Sequence, residues 1–135
     1  MVRYPAGPKF GSTTPYLVAP GGGLEDGEEY ADAAVREVRE ETGLIVAVIK
    51  PLAVEDLVCS LWRCCKLWFL CEYVSGEVRE TDESKVEGIT EVGWFTKAEL
   101  SREVVYPWLL TQFDWDAFAS PDWQVQWAGL RQMDF

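Results

Sequence analysis

From Pro20 to Leu44 the chain reads PGGGLEDGEEYADAAVREVREETGL, a glycine triplet followed by a turn and a helical stretch that carries a row of carboxylates. Gly21, Gly22 and Gly23 accept backbone angles closed to other residues and let a ligand approach the main chain, and Glu25, Asp26 and Gly27 suit a turn into a helix. The pattern is helical from about Glu28 to Thr42. At roughly 100° per residue, Ala31, Ala34, Val35 and Val38 fall on one arc with Thr42, and this arc is expected to face the core. Glu37, Glu40 and Glu41 fall on the neighbouring arc, with small Ala33 one turn earlier leaving space above Glu37. Like charges at these spacings cost roughly 0.2–0.5 kcal/mol per pair, so the triplet is tolerated but not favoured without a cation. Oxygen-only ligands select hard ions such as Mg²⁺ or Mn²⁺. Acidity alone does not decide the matter, because an acidic helix face is also what a solvated surface looks like.

Spacing does. Gly22, Glu28, Arg36, Glu37, Val38, Glu40, Glu41, Gly43 and Leu44 fit a glycine, five residues, Glu, seven residues, Arg-Glu-aliphatic, one residue, Glu-Glu, one residue, Gly-aliphatic, with no position departing. This is the Nudix box, and the chain resembles the Nudix hydrolases, MutT-like enzymes that cleave a nucleoside diphosphate linked to another moiety. The resemblance implies an α/β fold, an α/β/α sandwich with a mixed sheet, and metal-dependent hydrolysis of NDP-X to NMP and P-X with water as nucleophile. By the same resemblance Glu37, Glu40 and Glu41 are metal ligands together with the backbone carbonyl of Gly21, and Glu37 also helps to activate water. Arg36 then pairs with carboxylates of its own helix, and Glu28 braces the loop. Family members often draw one more acid from a downstream segment; Glu83, Glu87 and Glu91 are the candidates. Glu87 is preferred, since it lies shortly before the expected strand of Ile89 to Phe95. A catalytically silent nucleotide-binding module is the alternative, which an eroded box would favour.

The charge balance fits that chemistry. A pyrophosphate is polyanionic and a net charge of −11 would repel it, so divalent ions are needed to bridge carboxylates and phosphate oxygens and to lower the pKa of a water. The chain has no His and no obvious Ser or Cys triad, which is no obstacle where positioning and charge stabilisation do most of the work. The same acidity argues against broad nucleic-acid binding and leaves a small nucleotide as the expected partner. At 135 residues with 48% hydrophobic residues, the chain suits one domain spanning 1–135. No apolar run approaches a membrane span and the N-terminus lacks a signal-peptide core, so a cytoplasmic setting is expected.

Outside the box, the opening reads as a strand end, a loop and a strand through Tyr16, Leu17 and Val18, with Arg3 and Lys9 as solvated charges. Nudix domains carry a strand hairpin ahead of the box, of which Met1 to Tyr4 would be only the last few residues. Neighbouring strands should then be left unpaired and apolar side chains exposed, which predicts a homodimer covering the gap with the tail after Tyr106. Leu44 to Ile49 reads as a buried strand interrupted by Pro51, Leu52 to Val58 continues it, and a hairpin around Cys59 to Arg63 leads to a strand from Cys64 and a turn at Ser75 and Gly76. Cys59, Cys64, Cys65 and Cys71 lack paired C-x-x-C spacing and read as buried thiols. The segment EVRETDESKVEGITE, from Glu77 to Glu91, reads as a mobile loop over the site, and Trp94 and Phe95 as core. In the tail, Trp108, Leu109, Phe113 and Phe118 suit a short amphipathic helix broken at Pro121, and WQVQWAGL a final strand. The residues that mark substrate subclasses past the box, here Cys59, Ser60, Leu61 and Trp62, match neither the ADP-ribose nor the dinucleoside-polyphosphate pattern.

Overall fold

The computed structural model describes residues 1–58 and 62–132. In chain order the elements are β1 (Val2–Tyr4), a 3₁₀ turn (Pro8–Phe10), β2 (Tyr16–Val18), α1 (Tyr30–Thr42), β3 (Leu44–Val58), β4 (Arg63–Gly76), α2 (Asp82–Glu87), β5 (Glu91–Val92), α3 (Lys97–Leu100), β6 (Val105–Tyr106), α4 (Leu109–Gln112), α5 (Asp116–Ala119) and β7 (Gln126–Gln132). The strands divide between two mixed sheets, ordered β5-β1-β2-β6 and β4-β3-β7. In the first, β1 runs antiparallel to β2 and β5 while β2 and β6 are parallel; in the second, β3 is antiparallel to β4 and parallel to β7.

Short as it is, β1 lies inside its sheet. Val2 faces Val18 on one side and Val92 on the other, and Arg3 faces Leu17 and Glu91. The gap expected beside a truncated first strand is therefore filled by these three residues, and Val2 is fully buried. Arg3 is not a solvated charge: its guanidinium meets Glu91 at 2.5 Å and Glu103 at 3.0 Å.

Pro51 does not end the first long strand. β3 runs through it with register shifts between Val48 and Lys50 and between Pro51 and Ala53, because an irregularity absorbs the residue that lacks a donor. Its first half is less buried than the apolar run suggests, and Ile49 is exposed. β4 likewise continues through Ser75 and Gly76, which pair with Ile45 and Leu44. Cys65 is exposed and Cys64 and Cys71 are half-buried, so these three are not core thiols; Cys59 lies outside the described residues, as do Ser60 and Leu61 of the hairpin connection.

Between the sheets, Val2, Tyr16, Val18, Leu52, Ala53, Trp68, Ile89, Leu109 and Phe118 form the main core. The tail aromatics close it: Trp123 meets Phe113 and Phe118 edge-on at 5.2 and 5.0 Å, and its indole N–H donates to Leu52 O at 3.0 Å. The single tail helix expected from Trp108 to Phe118 is divided into α4 and α5, since Phe113 adopts an extended backbone. Trp94 is 69% exposed rather than core, standing edge-on to Tyr73, while Phe95 packs beside Leu17, Leu100 and Val105.

Candidate active site

α1 begins at Tyr30, two residues later than its pattern predicts, because Glu28 is held in the preceding turn. Its carboxylate accepts from the Glu25 N–H at 3.0 Å and from Arg36. Gly43, with φ 77°, ends the helix through a left-handed cap. The buried positions of α1 are Ala33, Glu37, Glu41 and Thr42, while Ala31, Ala34, Val35 and Val38 are only half-buried. Of the arc expected to face the core only Thr42 is buried, and the carboxylates of Glu37 and Glu41 are buried beside it. The carboxylate stripe turns inward because the glycine loop receives it. Gly21 N–H donates to Glu41 Oε2 at 3.1 Å, and a Cβ on Gly22 would stand 2.3 Å from Glu37 Oε1. Only glycine leaves room there.

Arg36 ties the loop to the helix. Its Nε and Nη2 donate to the two oxygens of Glu28 at 2.8 and 2.9 Å, and Nη2 also reaches Gly23 O at 2.9 Å. Nη1 donates to Glu37 Oε1 at 2.9 Å and to Glu40 Oε2 at 3.1 Å. Such a bidentate fork fixes carboxylate rotamers in a way an ammonium does not. It holds the Glu28 carboxyl down to about 2. Glu40 also lies 3.6 Å from Arg39, so this carboxylate is drawn towards guanidinium groups.

The third acid of the inner cluster comes from α2, where a mobile loop was expected. Thr81 Oγ1 accepts from Ser84 N–H at 3.0 Å and Ser84 Oγ from Thr81 N–H at 2.9 Å, a reciprocal cap that starts the helix, and Gly88 ends it. Thr81 also donates to Glu40 O, and Arg79 N–H to Thr42 O at 3.0 Å, which docks α2 against the end of α1. Glu87 is thereby carried to the buried stripe. Ligand oxygens of Glu37, Glu41 and Glu87 all lie within 4.8 Å of one another. Glu91 is paired with Arg3, and Glu83 does not belong to the cluster. Tyr4 also meets the cluster, with its hydroxyl 3.0 Å from Glu87 Oε2 and 3.4 Å from Glu41 Oε1. No motif marked Tyr4, whereas the threonine and serine of the α2 cap were a legible signal.

Electrostatics follow from this crowding. Two carboxylates at such a separation repel by about 3 kcal/mol even at an effective dielectric of ~20. Burial, and then the Glu87 charge, push the Glu41 carboxyl up to about 8. Burial also raises Glu37, against the opposing pull of Arg36. Burial, followed by the charges of Glu41 and Glu87, raises Tyr4, which keeps its phenol a neutral donor. A set of hard oxygen donors, buried at Glu37 and Glu41 and open to solvent at Glu87, fits a divalent cation.

Comparison with known proteins bears on the family and the fold. The NUDIX domain family model matches residues 3–116. The chain is 28% identical over 114 residues to an RNA pyrophosphohydrolase of Dinoroseobacter shibae, covering 73% of this chain and 71% of that protein. Among solved structures it resembles an ADP-ribose pyrophosphatase from Streptococcus suis, with a TM-score of 0.56 and 21% identity over 80% of this chain and 78% of the other. It also resembles a UDP-X diphosphatase, with a TM-score of 0.53 and 23% identity, where 69% of this chain spans 49% of that protein. The box, the acidic helix face and the matched span together make the chain a member of the NUDIX domain family and a Nudix pyrophosphohydrolase.

Proposed function

We propose that the chain hydrolyses the pyrophosphate linkage of a nucleoside diphosphate derivative, NDP-X, to NMP and P-X, with water as nucleophile and Mg²⁺ or Mn²⁺ as the resident ion. The observation that carries this reading is the approach of Glu37, Glu41 and Glu87 to within 4.8 Å beside the glycine loop. These three, with the main-chain carbonyl of Gly21, are the groups that would hold the ion; Glu40, expected as a ligand too, is held by Arg36 and stands beside Arg39, outside the cluster of Glu37, Glu41 and Glu87. When bound, the ion neutralises phosphate oxygens and lowers the pKa of water. Arg36 fixes the rotamers of Glu28, Glu37 and Glu40, and Tyr4 holds Glu87 against Glu41. Glu37, beside the glycine loop, would also help to activate the attacking water. Similarity to proteins described as acting on RNA, ADP-ribose and UDP derivatives supports a phosphoric anhydride as the bond cleaved.

The test is a panel of nucleoside triphosphates, sugar nucleotides, dinucleoside polyphosphates and capped RNA, assayed with Mg²⁺ and with Mn²⁺. Release of NMP from at least one of them, abolished by chelation, is the expected result. Nucleotide binding without turnover across the panel would return the silent module instead.

The same reading takes residues 1–135 as one domain in the cytoplasm, where Cys65 and Cys71 stay reduced. It also keeps a homodimer, relocated to the tail. β1 is enclosed by its neighbours, whereas Trp127 and Leu130 on the edge strand β7 are 70% and 62% exposed. Sedimentation equilibrium at micromolar concentration checks it, and a monomer removes the dimer.

A further inference from the structure

Next to the acidic cluster a groove of about 510 Å³ runs between α1 and β4. Leu24, Ala34 and Val38 line it from the loop and helix, and Leu67 and Phe69 from the strand, while Glu37 and the glycine loop close the end it shares with the cluster. This groove explains why the apolar arc of α1 is only half-buried: Ala34 and Val38 face it instead of filled core. Tyr30, at the start of α1, also lines it and is 54% exposed. The volume suits a nucleoside.

We propose that this groove is the nucleobase subsite and that it holds the base by apolar contact and stacking, so that the four bases are accepted with little distinction. The inference rests on the hydrolase reading. Continuity supplies the first argument: a phosphate chain held at Glu37 places the attached nucleoside at the mouth of the groove. Chemistry supplies the second. Among the described lining residues there is no Asn, Gln, Asp, Ser, Thr or Arg, and the one ammonium, that of Lys66, lies 5.6 Å from the ring centroid of Trp68. The polar side chains of the lining, Glu37, Tyr30, Lys66 and the cysteines, are few beside its apolar surface, which suits the two apolar faces of a base better than a polyhydroxyl X group. Tyr30 on the helix side and Phe69 on the strand side both line the groove, and aromatic rings are the side chains that stack on such faces. Side-chain hydrogen bonds can separate two ligands by 10⁴ or more, but contact with an apolar wall separates them only by roughly 10–200-fold.

Binding is read from intrinsic tryptophan fluorescence, since Trp68 lines the groove, by titrating the protein with AMP, GMP, CMP, UMP and ribose 5-phosphate. The four mononucleotides should bind within about 10-fold of one another and ribose 5-phosphate at least about 10-fold more weakly, the difference being the stacking contribution. Phe69→Ala and Tyr30→Ala should bring the mononucleotides towards ribose 5-phosphate. Equal binding of ribose 5-phosphate and AMP, or preference for one base beyond ~200-fold, the ceiling for apolar contact, overturns the proposal in the unaltered protein, whatever the variants do. Base-dependent binding with no hydrolysis of any panel substrate would defeat the hydrolase reading and leave the subsite standing. Hydrolysis of the panel substrates together with equal binding of AMP and ribose 5-phosphate would defeat the subsite alone.

Discussion

The hydroxyl of Tyr4 lies 3.0 Å from Glu87 Oε2, joining the first strand of the chain to the last acid of the site across a sequence separation of 83 residues. The same oxygen is 3.4 Å from Glu41, so one neutral donor spans carboxylates from α1 and α2. Tyr4→Phe removes that bridge and keeps the ring, which packs 5.5 Å from Tyr16 and 5.7 Å from Phe10. Without the bridge the Glu87 carboxylate is free to shift, and a misplacement of about 1 Å costs on the order of 10² in rate, so kcat should fall by up to about 10²-fold. A hydrogen bond to a charged partner contributes about 1.5–3 kcal/mol to stability, so Tm should fall by several degrees as well. Isothermal titration with Mn²⁺ should show weaker binding; unchanged affinity and kcat would make Tyr4 a packing residue only.

Glu41→Gln should lower turnover by ~10² or more and weaken Mn²⁺ binding, because it removes a hard anionic donor without changing side-chain volume. The amide oxygen can still accept from Gly21 N–H, so the loop should keep its place. Full turnover at saturating metal would exclude Glu41 from the reaction.

Metal-free protein should lose stability as pH rises. The folded Glu41 carboxyl, at about 8 against a reference of 4.5, binds its proton more tightly than the unfolded chain does. Between those values the native state carries the extra proton, so stability is highest below the lower one and declines through the upper one. Other carboxylates with lowered values, Glu28 among them, act in the opposite sense at acid pH. The quantity to measure is therefore the difference in Tm between the unaltered protein and Glu41→Gln in EDTA from pH 5 to 9. It should move in favour of the variant as pH rises, and Mg²⁺ should reverse it.

Gly22→Ala should separate activity from stability. The new methyl would meet the Glu37 carboxylate, the free end of a flexible side chain, at 2.3 Å, so the helix and loop can stay while the carboxylate is displaced. A misplacement of about 1 Å in a reacting group costs on the order of 10² in rate. Steady-state kinetics beside thermal unfolding would show it; equal losses in both would mean that the loop itself had been disrupted.

Much of the site is local, and for that reason it was legible. Helical spacing from Glu37 to Glu41 places their side chains on adjoining stripes, the glycines before α1 admit a close approach, and Arg36 can reach Glu28, Glu37 and Glu40 because the helix turn and the loop bring them within one side-chain length. Strand β2 was readable from its flanking turns, and a final strand from WQVQWAGL, although β7 begins only at Gln126 and Trp123 packs against the core instead.

What the sequence determined alone is thus the acidic helix, its glycine loop and the type of ion such oxygens suit. Tertiary structure decided which stripe of α1 is buried, because a helical wheel records the angle between residues and not the surface they meet. Here that surface is the glycine loop and Tyr4, and it takes in Glu37 and Glu41, while Ala34 and Val38 line a groove. It likewise brought in Glu87 from a capped helix docked through Thr81 and Arg79, and set Glu91 apart by pairing it with Arg3. Each depends on contacts between residues far apart in the chain, whose energies come from burial and charge in the assembled fold, and no local pattern records them.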